Sequence, residues 1–391
     1  MIRSLFLSCG LLLACSAPLA MAAEPAPTKL DLFTAKEGGY ELYRIPGLVA
    51  TAKGTLLAYC EARKTAKGDW GQIDLLLRRS TDDGKTWSDP TPIGKLPANV
   101  KKNEVALSQK LGDPNKFTMN NPVAIADDDG TVYFLYCIEY ARCFYQRSDD
   151  DGLTFSEPVE ITNTFAKFRD DYDWKVIATG PGHGIQTKLA RLIVPVWLST
   201  GTGGHAHRPS AVSTIYSDDQ GATWQRGEIV TQHGKQVINP SETIVVELSD
   251  DRVMLNIRSE SKEQRRLVAI SDDGATRWSE PKFDSALYEP VCMASIIRAD
   301  AKHLVYAHPD SAKADGKASR DRRNLTIKVS DDDGQTWKWS RVLEPGMSAY
   351  SDLAVGQDGT IFCLYESGAG GRSYGALTLA RFPLAWAKEA P

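Results

Sequence analysis

Short apolar runs bounded by Gly, Asp and Asn dominate the pattern of hydrophobic and polar positions along the chain. Typical runs are residues 131–136, 192–197 and 252–257, which are rich in Val, Ile, Leu and aromatic residues. Runs of this length and composition predict β-strands. No convincing long stretch repeats its apolar residues with the period of an amphipathic helix. The pattern therefore predicts an all-β fold.

An eight-residue pattern, Ser-x-Asp-x-Gly-x-Thr-Trp/Phe, divides these strands into repeating units. Regular copies start at Ser80, Ser148, Ser217 and Ser330, and a fifth copy at Ser271 has its Gly and Thr shifted by one position. The starts lie 54 to 69 residues apart, which suits one four-stranded sheet per unit. The repeats predict a six-bladed β-propeller formed by residues 28–391 as one domain, with the chain ends closing one sheet jointly.

The acidic residues of these octets are expected to be structural. The Gly permits a positive φ, the Asp side chain can accept backbone N–H bonds across the turn, and the final aromatic residue anchors the turn on the sheet. The chemistry is therefore expected elsewhere in the chain.

Residues 1–23 have the three regions of a secretory signal, with Arg3, an apolar stretch and a small-residue run ending at Ala23. A lipobox-like sequence ends at Cys15 and would attach a lipid anchor to that residue. We expect export to the periplasm or the extracellular space, either free or anchored through Cys15. No later apolar run is long enough to span a bilayer, so no integral membrane segment is predicted.

The charge balance and the cysteines exclude other classes of function. Lys+Arg total 46 and Asp+Glu total 50, a formal charge of −4, so the chain lacks the basic field that nucleic acid requires. An anionic substrate would have to be held by a few placed cations. The five cysteines beyond the signal and lipobox lack the spacing of a metal site, and buried thiols are expected. No metal or other cofactor is predicted.

Four segments outside the octets carry ionisable residues within otherwise apolar strands, which is uncommon unless such residues are paired or functional. In chain order these are Arg44-Ile45-Pro46 with Arg63 and Asp69, then Glu242 with Arg258, then residues 320–325, and finally Tyr350 with Glu366.

The octets and these segments together resemble the Asp-boxes and the Arg-Ile-Pro motif of the bacterial exo-α-sialidase (neuraminidase) family of glycoside hydrolases. The similarity runs from residue 30 to residue 386. It implies a monomeric, cofactor-free enzyme that removes terminal α-linked sialic acids from glycoconjugates with retention of configuration. Sialylated glycans would then be its partners.

The resemblance also implies the residues that bind the substrate carboxylate. Arg44, Arg258 and Arg322 match the family's three arginines, and guanidinium groups suit this role because they pair bidentately with carboxylates. The neighbours Arg320 and Arg323 leave the third position open, and Arg322 is chosen because its Arg-x-x-Leu context fits best.

The remaining roles are implied in the same way. Tyr350 matches the nucleophile, which is a known exception among glycosidases, and Glu242 matches the carboxylate that takes its proton. A neutral phenol avoids the repulsion that an anionic nucleophile would meet from the substrate carboxylate. Asp69 matches the acid/base residue, a role favoured by a raised pKa. Glu366 matches the carboxylate that orients Arg44, and Arg63 matches a further pocket arginine.

Several alternatives stay open at this level. Trp70 either stacks on a sugar or packs its loop, and His183 either contacts substrate or is a buried, hydrogen-bonded residue. The substrate could be a related 2-keto acid sugar, such as a deaminated sialic acid (Kdn) or Kdo. A non-catalytic surface protein that binds sialic acid is the alternative from another class.

Overall fold

The apolar runs of the sequence are β-strands in the computed structural model, which describes residues 25–66, 68–202, 204–311 and 320–389. The strands are β1 (Thr28–Thr34), β2 (Leu42–Ala50), β3 (Leu56–Arg63), β4 (Ile73–Ser80), β5 (Thr91–Ile93), β6 (Met119–Ala126), β7 (Val132–Ile138), β8 (Arg142–Ser148), β9 (Val159–Glu160), β10 (Val176–Thr179), β11 (Gly182–His183), β12 (Ile185–Gln186) and β13 (Leu192–Ser199). They continue with β14 (Ser210–Ser217), β15 (Gln225–Arg226), β16 (Thr231–Gln232), β17 (Thr243–Glu247), β18 (Val253–Ile257), β19 (Arg265–Ser271), β20 (Lys282–Tyr288), β21 (Ser295–Arg298), β22 (Leu304–Pro309), β23 (Arg323–Ser330), β24 (Trp339–Val355), β25 (Thr360–Ser367) and β26 (Ala376–Pro383).

Helices are short in the described part of the chain. They are α1 (Glu104–Ser108), α2 (Thr162–Ala166) and α3 (Leu384–Lys388), with single 3₁₀ turns at Lys167–Asp170 and Ala369–Gly371. Within these described ranges, no helix is both long and apolar enough to cross a membrane. The predicted signal, with Cys15, lies outside the described residues.

The strands form mainly antiparallel sheets that follow the order of the chain. β2–β5 and β17–β20 each form one sheet, β6–β9 form a third to which β11 adds in parallel, and β10 and β12–β16 form a fourth. A fifth sheet has seven strands, because the 17-residue β24 pairs with β23 through its first half and with β25 through its second half. In that sheet β1 pairs with β26, so the chain ends do share one sheet, as predicted.

The first strands of successive sheets contact one another around a ring. β2 contacts β6, β6 contacts β10, and β13, which pairs with β10, contacts β17; β17 contacts β21, β21 contacts β24, and β24 contacts β2. This is the arrangement of a β-propeller, which confirms the predicted all-β class. Dividing the seven-stranded sheet at β24 would give six groups of strands. The count of six blades, the single domain and the monomeric state stay predictions.

Burial on both faces explains why the strands appear as continuous apolar runs in the sequence. Every residue of β3, β7 and β13 is buried, since each of these strands lies within a sheet that is covered by neighbouring sheets. Between two sheets, the ring of Tyr59 packs edge-on against Phe134, with 5.5 Å between ring centroids. The five cysteines in the described residues are free and buried, as expected.

Five turns built from the octets repeat one hydrogen-bond pattern. In each turn the Asp at the third position accepts bonds from the backbone N–H of the Thr at 2.7–2.9 Å and from its hydroxyl at 2.6–2.8 Å. The irregular copy keeps this pattern with Asp273 and Thr276, although its turn is one residue shorter. In the first copy, the bond from the Thr86 backbone and the other bonds to Asp82 lower the pKa of its carboxyl to about 2. These acids stabilise the turns.

A buried carboxylate ties the inner strands together near the centre of the ring. Asp352 of β24 is fully buried and accepts bonds from the backbone N–H of Leu48 in β2 and from the hydroxyl of Ser295 in β21, both at 2.8 Å. The Nδ1 atom of His183 in β11 lies 2.7 Å from the same carboxylate. His183 is therefore held in a buried network, which is the second of the two interpretations left open by the sequence.

Replacing Asp352 by Ala is expected to lower the free energy of unfolding by about 3 to 5 kcal/mol, because three buried groups would lose their shared acceptor. Urea unfolding followed by circular dichroism measures this change. The matched control is Asp129→Ala, an exposed aspartate, which should change stability by no more than ~0.5 kcal/mol. Equal effects of the two substitutions would contradict the role assigned to Asp352.

Candidate active site

The Arg-Ile-Pro-Gly segment forms a bulge in β2 that sets the direction of Arg44. The pairing register with β3 shifts between Arg44 and Gly47, and Ile45 has a φ of 57°. Pro46 has no N–H to contribute to the ladder, so it fits an interruption of the pairing. A Cβ on Gly47 would lie 1.9 Å from the ring of Tyr59, so only glycine fits there. The motif thus shapes the backbone so that the side chain of Arg44 points in a fixed direction.

The carboxylate of Glu366 holds this bulge and a second one in place. Glu366 is fully buried in β25 and accepts two parallel bonds from the guanidinium of Arg44, at 2.9 and 3.0 Å. It also accepts the backbone N–H of Ile45 at 3.0 Å and that of Tyr350 at 3.2 Å. Tyr350 lies in a bulge of β24, where the pairing with β25 shifts between Ser348 and Ser351. One carboxylate therefore positions both Arg44 and Tyr350.

The phenol of Tyr350 contacts an acid and a cation that come from neighbouring strand ends. Its hydroxyl lies 2.7 and 2.5 Å from the two carboxylate oxygens of Glu242, to which it donates. Arg258 donates to the same hydroxyl at 2.6 Å and forms a close ion pair with Glu242. Glu242 immediately precedes β17 and Arg258 immediately follows β18, and these paired strands bring the two residues together.

A third guanidinium completes the surroundings of Tyr350. The guanidinium carbon of Arg322 lies 5.2 Å from the centre of the Tyr350 ring, and that of Arg44 lies 5.4 Å from it. Arg322 donates to the carbonyl of Val291 at 2.7 Å. Its neighbour Arg323 is exposed and pairs with Asp321. The structure thus brings Arg322 to Tyr350, and it leaves Arg320 exposed as well.

Asp69 belongs to a second group of charges at the end of β3. Its carboxylate accepts a bond from Arg63 at 2.8 Å, and Arg63 is itself held by the carboxylate of Glu61 at 2.6 and 3.0 Å. Glu61 is fully buried and also accepts the backbone N–H of Asn121 at 3.0 Å. The side chain of Asp69 is 43% exposed, so it faces the open side of the site. Arg63 is therefore the fixed link between a buried acid and an accessible one.

The pKa of Asp69 is set by burial and by nearby positive charges. Burial alone would raise the pKa of Asp69, but the charges of Arg63, His207 and Arg44 and the hydrogen bond from Arg63 together outweigh this effect, and Arg63 contributes most among them. The pKa of Asp69 therefore lies well below its usual range in the resting protein, whereas the acid/base role implied by the resemblance favours a raised pKa.

The other shifted groups are explained by burial and charge. Burial raises the pKa of the Tyr350 phenol well above its ordinary value, and Glu242 adds to this rise while Arg258 opposes it. Tyr350 is therefore a neutral phenol in the resting protein. Burial lowers the pKa of Arg44 and Arg258, but the neighbouring acids and phenols, chiefly Glu366 for Arg44 and Glu242 for Arg258, together raise each pKa above its usual value. Both guanidinium groups therefore stay charged.

A cavity of about 170 Å³ joins the two groups of charges. Asp69, Glu242 and Arg258 are among the residues that line it. Trp70 does not stand free beside Asp69; it is buried, with its ring 4.6 Å from that of Tyr140 and 5.6 Å from that of His207. Of the two interpretations, Trp70 therefore packs its loop.

Sequence reasoning missed several groups that contact these residues. The ring of Tyr374 lies 4.2 Å from the guanidinium of Arg44, and its hydroxyl accepts a bond from Arg322 at 3.3 Å. Glu61 and His207 were missed as well. Glu61 could have been found from its position in the apolar run Leu56–Arg63. It lies two residues before Arg63, so both side chains point to the same face of β3. Nothing in the sequence distinguishes Tyr374 or His207 from surface residues.

The chain is similar in sequence to known proteins. Residues 101–363 match the family described as "BNR repeat-like domain". The chain is 33% identical to a sialidase of Micromonospora viridifaciens over 95% of this chain and 56% of that protein. It is 31% identical to a sialidase of Bacteroides fragilis over 86% of this chain and 62% of that protein. The chain thus spans less than two thirds of the length of these relatives.

A solved structure is also similar to the protein. The Hadza microbial sialidase Hz136 superposes with a TM-score of 0.70 at 27% identity, covering 91% of this chain and 68% of that one.

Replacing Arg63 by Met is expected to raise the pKa of Asp69 by roughly one to three pH units, because the nearest positive charge is removed while burial remains. A ¹³C NMR titration of the Asp69 carboxyl measures this change. The matched control is Arg142→Met, which breaks an exposed ion pair with Glu160 and should leave Asp69 unaffected. An unchanged pKa of Asp69 in a folded Arg63→Met protein would contradict the explanation.

Proposed function

The chain belongs to the bacterial sialidase family, and on that premise we propose that it is an exo-α-sialidase. In this proposal it hydrolyses terminal α-linked sialic acids of glycoconjugates with retention of configuration. Its partners are then sialylated glycans, which an exported protein would meet in the periplasm or outside the cell. Export itself is proposed on the signal-like residues 1–23.

The hydrogen bond between Tyr350 and Glu242 carries the proposal. A phenol whose pKa is raised by burial cannot ionise alone at neutral pH, so it needs a base that takes the proton as the new bond forms. Glu242 lies 2.5 to 2.7 Å from the hydroxyl and is suited to that task. Arg258 donates to the same oxygen and would stabilise developing negative charge on it. A protein that only binds sialic acid has no use for this pairing.

The three arginines support the choice of substrate class. Arg44, Arg258 and Arg322 all lie against Tyr350, two beside its ring and one at its hydroxyl. A carboxylate held between guanidinium groups would therefore place the carbon that bears it beside the phenol oxygen. In the glycosides of 2-keto acid sugars, the anomeric carbon carries a carboxylate. This geometry favours that class over ordinary hexosides.

The reaction is proposed in two balanced steps. In the first, the phenol oxygen of Tyr350 bonds to C2 of the sugar, its proton passes to Glu242, and the bond from C2 to the leaving oxygen breaks as Asp69 supplies a proton to that oxygen. In the second, water attacks C2, Asp69 takes a proton from the water, and the bond to Tyr350 breaks as its oxygen regains a proton from Glu242. Two displacements at one carbon retain the configuration.

Asp69 must carry a proton before the first step, although Arg63 holds its pKa low in the resting protein. Two effects of the bound substrate act in the required direction. The leaving sugar would cover the exposed part of the Asp69 side chain, and the substrate carboxylate would offset the charge of Arg44; each change raises the pKa of Asp69. Asp69 is therefore proposed to take up its proton in the complex with substrate.

Replacing Tyr350 by Phe should reduce kcat by roughly a thousandfold or more while the fold is retained, because the nucleophile is lost. Release of a fluorogenic aglycone from the α-glycoside of N-acetylneuraminic acid measures this. The matched control is Tyr365→Phe, a buried tyrosine of β25 that donates to Glu344 and should keep its activity.

Turnover by the Tyr350→Phe protein at the native rate would overturn the mechanism. The folded native protein could fail to release this aglycone and still turn over the matching Kdn or Kdo glycoside. That result would make those sugars the proposed substrates. Failure on all three would favour the sugar-binding alternative.

A further inference from the structure

The Asp69 loop, which joins β3 to β4, is bonded to the segment that joins β5 to β6. The two carbonyls that follow Asp69 in the chain both accept a bond from this segment. That of Trp70 accepts the ammonium of Lys102 at 2.9 Å, and that of Gly71 accepts the hydroxyl of Thr118 at 2.6 Å. The described residues that line the cavity of about 170 Å³ do not include either donor. The loop is thus fixed at two successive residues from outside that cavity.

A single buried carboxylate holds both donors. Glu139, in the turn between β7 and β8, accepts the ammonium of Lys102 at 3.0 Å and the backbone N–H of Thr118 at 2.7 Å, both on the same oxygen. The backbone N–H of Glu139 donates in turn to the carbonyl of Thr118 at 2.8 Å. The side chains of Lys102 and Glu139 are 3% and 1% exposed, so their ion pair lies in the interior.

The ammonium of Lys102 uses its full bonding capacity in this position. Taking two charges out of water carries a penalty, which an ion pair offsets only when further hydrogen bonds are made. Lys102 has three N–H groups, and it donates to Glu139, to the carbonyl of Trp70 and, at 2.8 Å, to the carbonyl of Lys116. A charged donor binds a carbonyl more strongly than a neutral donor does. Lys102 is therefore a strong anchor for the Asp69 loop.

The turn that carries Glu139 also packs against the residue next to Asp69. Tyr140 follows Glu139, and its ring lies 4.6 Å from that of Trp70, measured between centroids. A Cβ on Gly112 would lie 2.0 Å from the carbonyl oxygen of Trp70, so the chain passes directly against that carbonyl. The backbone after Asp69 is thus enclosed, whereas the side chain of Asp69 is 43% exposed.

We propose that Lys102, Thr118 and Glu139 are positioning residues, which hold this loop so that its carboxyl group reaches the leaving oxygen. The inference rests on the proposed function, in which Asp69 transfers the proton. Proton transfer needs the two oxygens within hydrogen-bond distance, and a displacement of about 1 Å can cost about a hundredfold in rate. Arg63 binds the carboxylate of Asp69 directly, and the positioning residues fix the backbone that carries it.

The leaving group distinguishes the positioning of an acid from a purely structural role. An acidic phenol departs with little help from a proton, whereas the alkoxide of a sugar must be protonated. The first arm of the test therefore measures kcat/KM for a sialyl lactoside and for the fluorogenic aryl glycoside. Lys102→Met removes the ammonium. Thr118→Val keeps the shape of the side chain without its hydroxyl, and Thr118→Ser keeps the hydroxyl.

The expected effect is selective for the lactoside. Its kcat/KM should fall by about ten- to a hundredfold in Lys102→Met and by about three- to tenfold in Thr118→Val, while that of the aryl glycoside should stay within about twofold. Thr118→Ser should keep the native ratio of the two values. The matched control is Lys328→Met in another sheet, where the ammonium donates to the carbonyl of Ala286 at 2.8 Å and pairs with Asp310 at 3.0 Å. It should also keep the native ratio.

The second arm tests whether the effect passes through Asp69. In Asp69→Ala the carboxyl is absent, so the loss of Lys102 has nothing left to displace. The ratio of the two kcat/KM values in Asp69→Ala/Lys102→Met should therefore equal that in Asp69→Ala within about twofold. A structural role would instead lower the folded fraction and reduce the turnover of both substrates equally.

The third arm does not depend on turnover. Amide hydrogen exchange of the peptide that contains Asp69 should be faster in Lys102→Met and Thr118→Val than in the native protein, and should be native-like in Thr118→Ser and Lys328→Met. Burial raises the pKa of Glu139, so this carboxyl can take up a proton in Lys102→Met and avoid an unpaired buried charge. Thr118→Val leaves the ion pair intact and tests the proposal if Lys102→Met does not fold.

Three results would overturn the positioning role in a native protein that turns over both glycosides. They are an equal loss on both glycosides in Thr118→Val and Lys102→Met, a changed ratio when Lys102→Met is added to Asp69→Ala, and unchanged exchange of the Asp69 peptide. A native protein that turns over neither glycoside would instead overturn the proposed function, and with it the role in proton transfer.

Discussion

The buried carboxylate of Glu366 is the group on which the geometry of the site depends. It accepts four hydrogen bonds, two from the guanidinium of Arg44 and one each from the backbones of Ile45 and Tyr350. These bonds join β25 to the bulges of β2 and β24, so the first arginine and the phenol are set relative to each other by one anion. A buried carboxylate of this kind is stable only when its bonds are all made. The positions of Arg44 and Tyr350 are therefore not independent, and a change at either bulge would disturb both.

Ion pairs also hold the other charged side chains of the site in place. Arg258 is paired with Glu242, and Arg63 is paired with Glu61 on one side and Asp69 on the other. Arg44, Arg258 and Arg63 are each balanced in the resting protein by an acid, which limits the cost of crowding guanidinium groups around one aromatic ring, whereas Arg322 donates to the carbonyl of Val291 and the hydroxyl of Tyr374. An anionic substrate enters this arrangement as one more carboxylate. It is therefore received by cations that are already oriented, and it alters the electrostatics of Asp69 most, since that acid is the most exposed member of the set.

Much of this architecture was predictable from the sequence, because its signals are local. The octets specify the turns through one Asp and one Thr, and the apolar runs specify strands that are buried on both faces. The resemblance selected Arg44, Glu242, Arg258, Tyr350 and Glu366, and the structure brings these together. Features that depend on distances between remote segments could not be predicted from the sequence. The lowered pKa of Asp69 follows from Arg63 lying 2.8 Å away, and the contact of Tyr374 with two arginines depends on the path of a glycine-rich loop.

The most direct test of the central claim, that Tyr350 is the nucleophile, is to trap the covalent intermediate. A sialic acid activated by fluorine at C2 and slowed by fluorine at C3 would be incubated with the native protein, and the adduct would be located by intact mass and peptide mapping. The account predicts a single added fluorosialyl group, on the peptide that contains Tyr350, and none in the Tyr350→Phe protein. An adduct on Glu242, or complete inactivation with the added mass on any other residue, would contradict it.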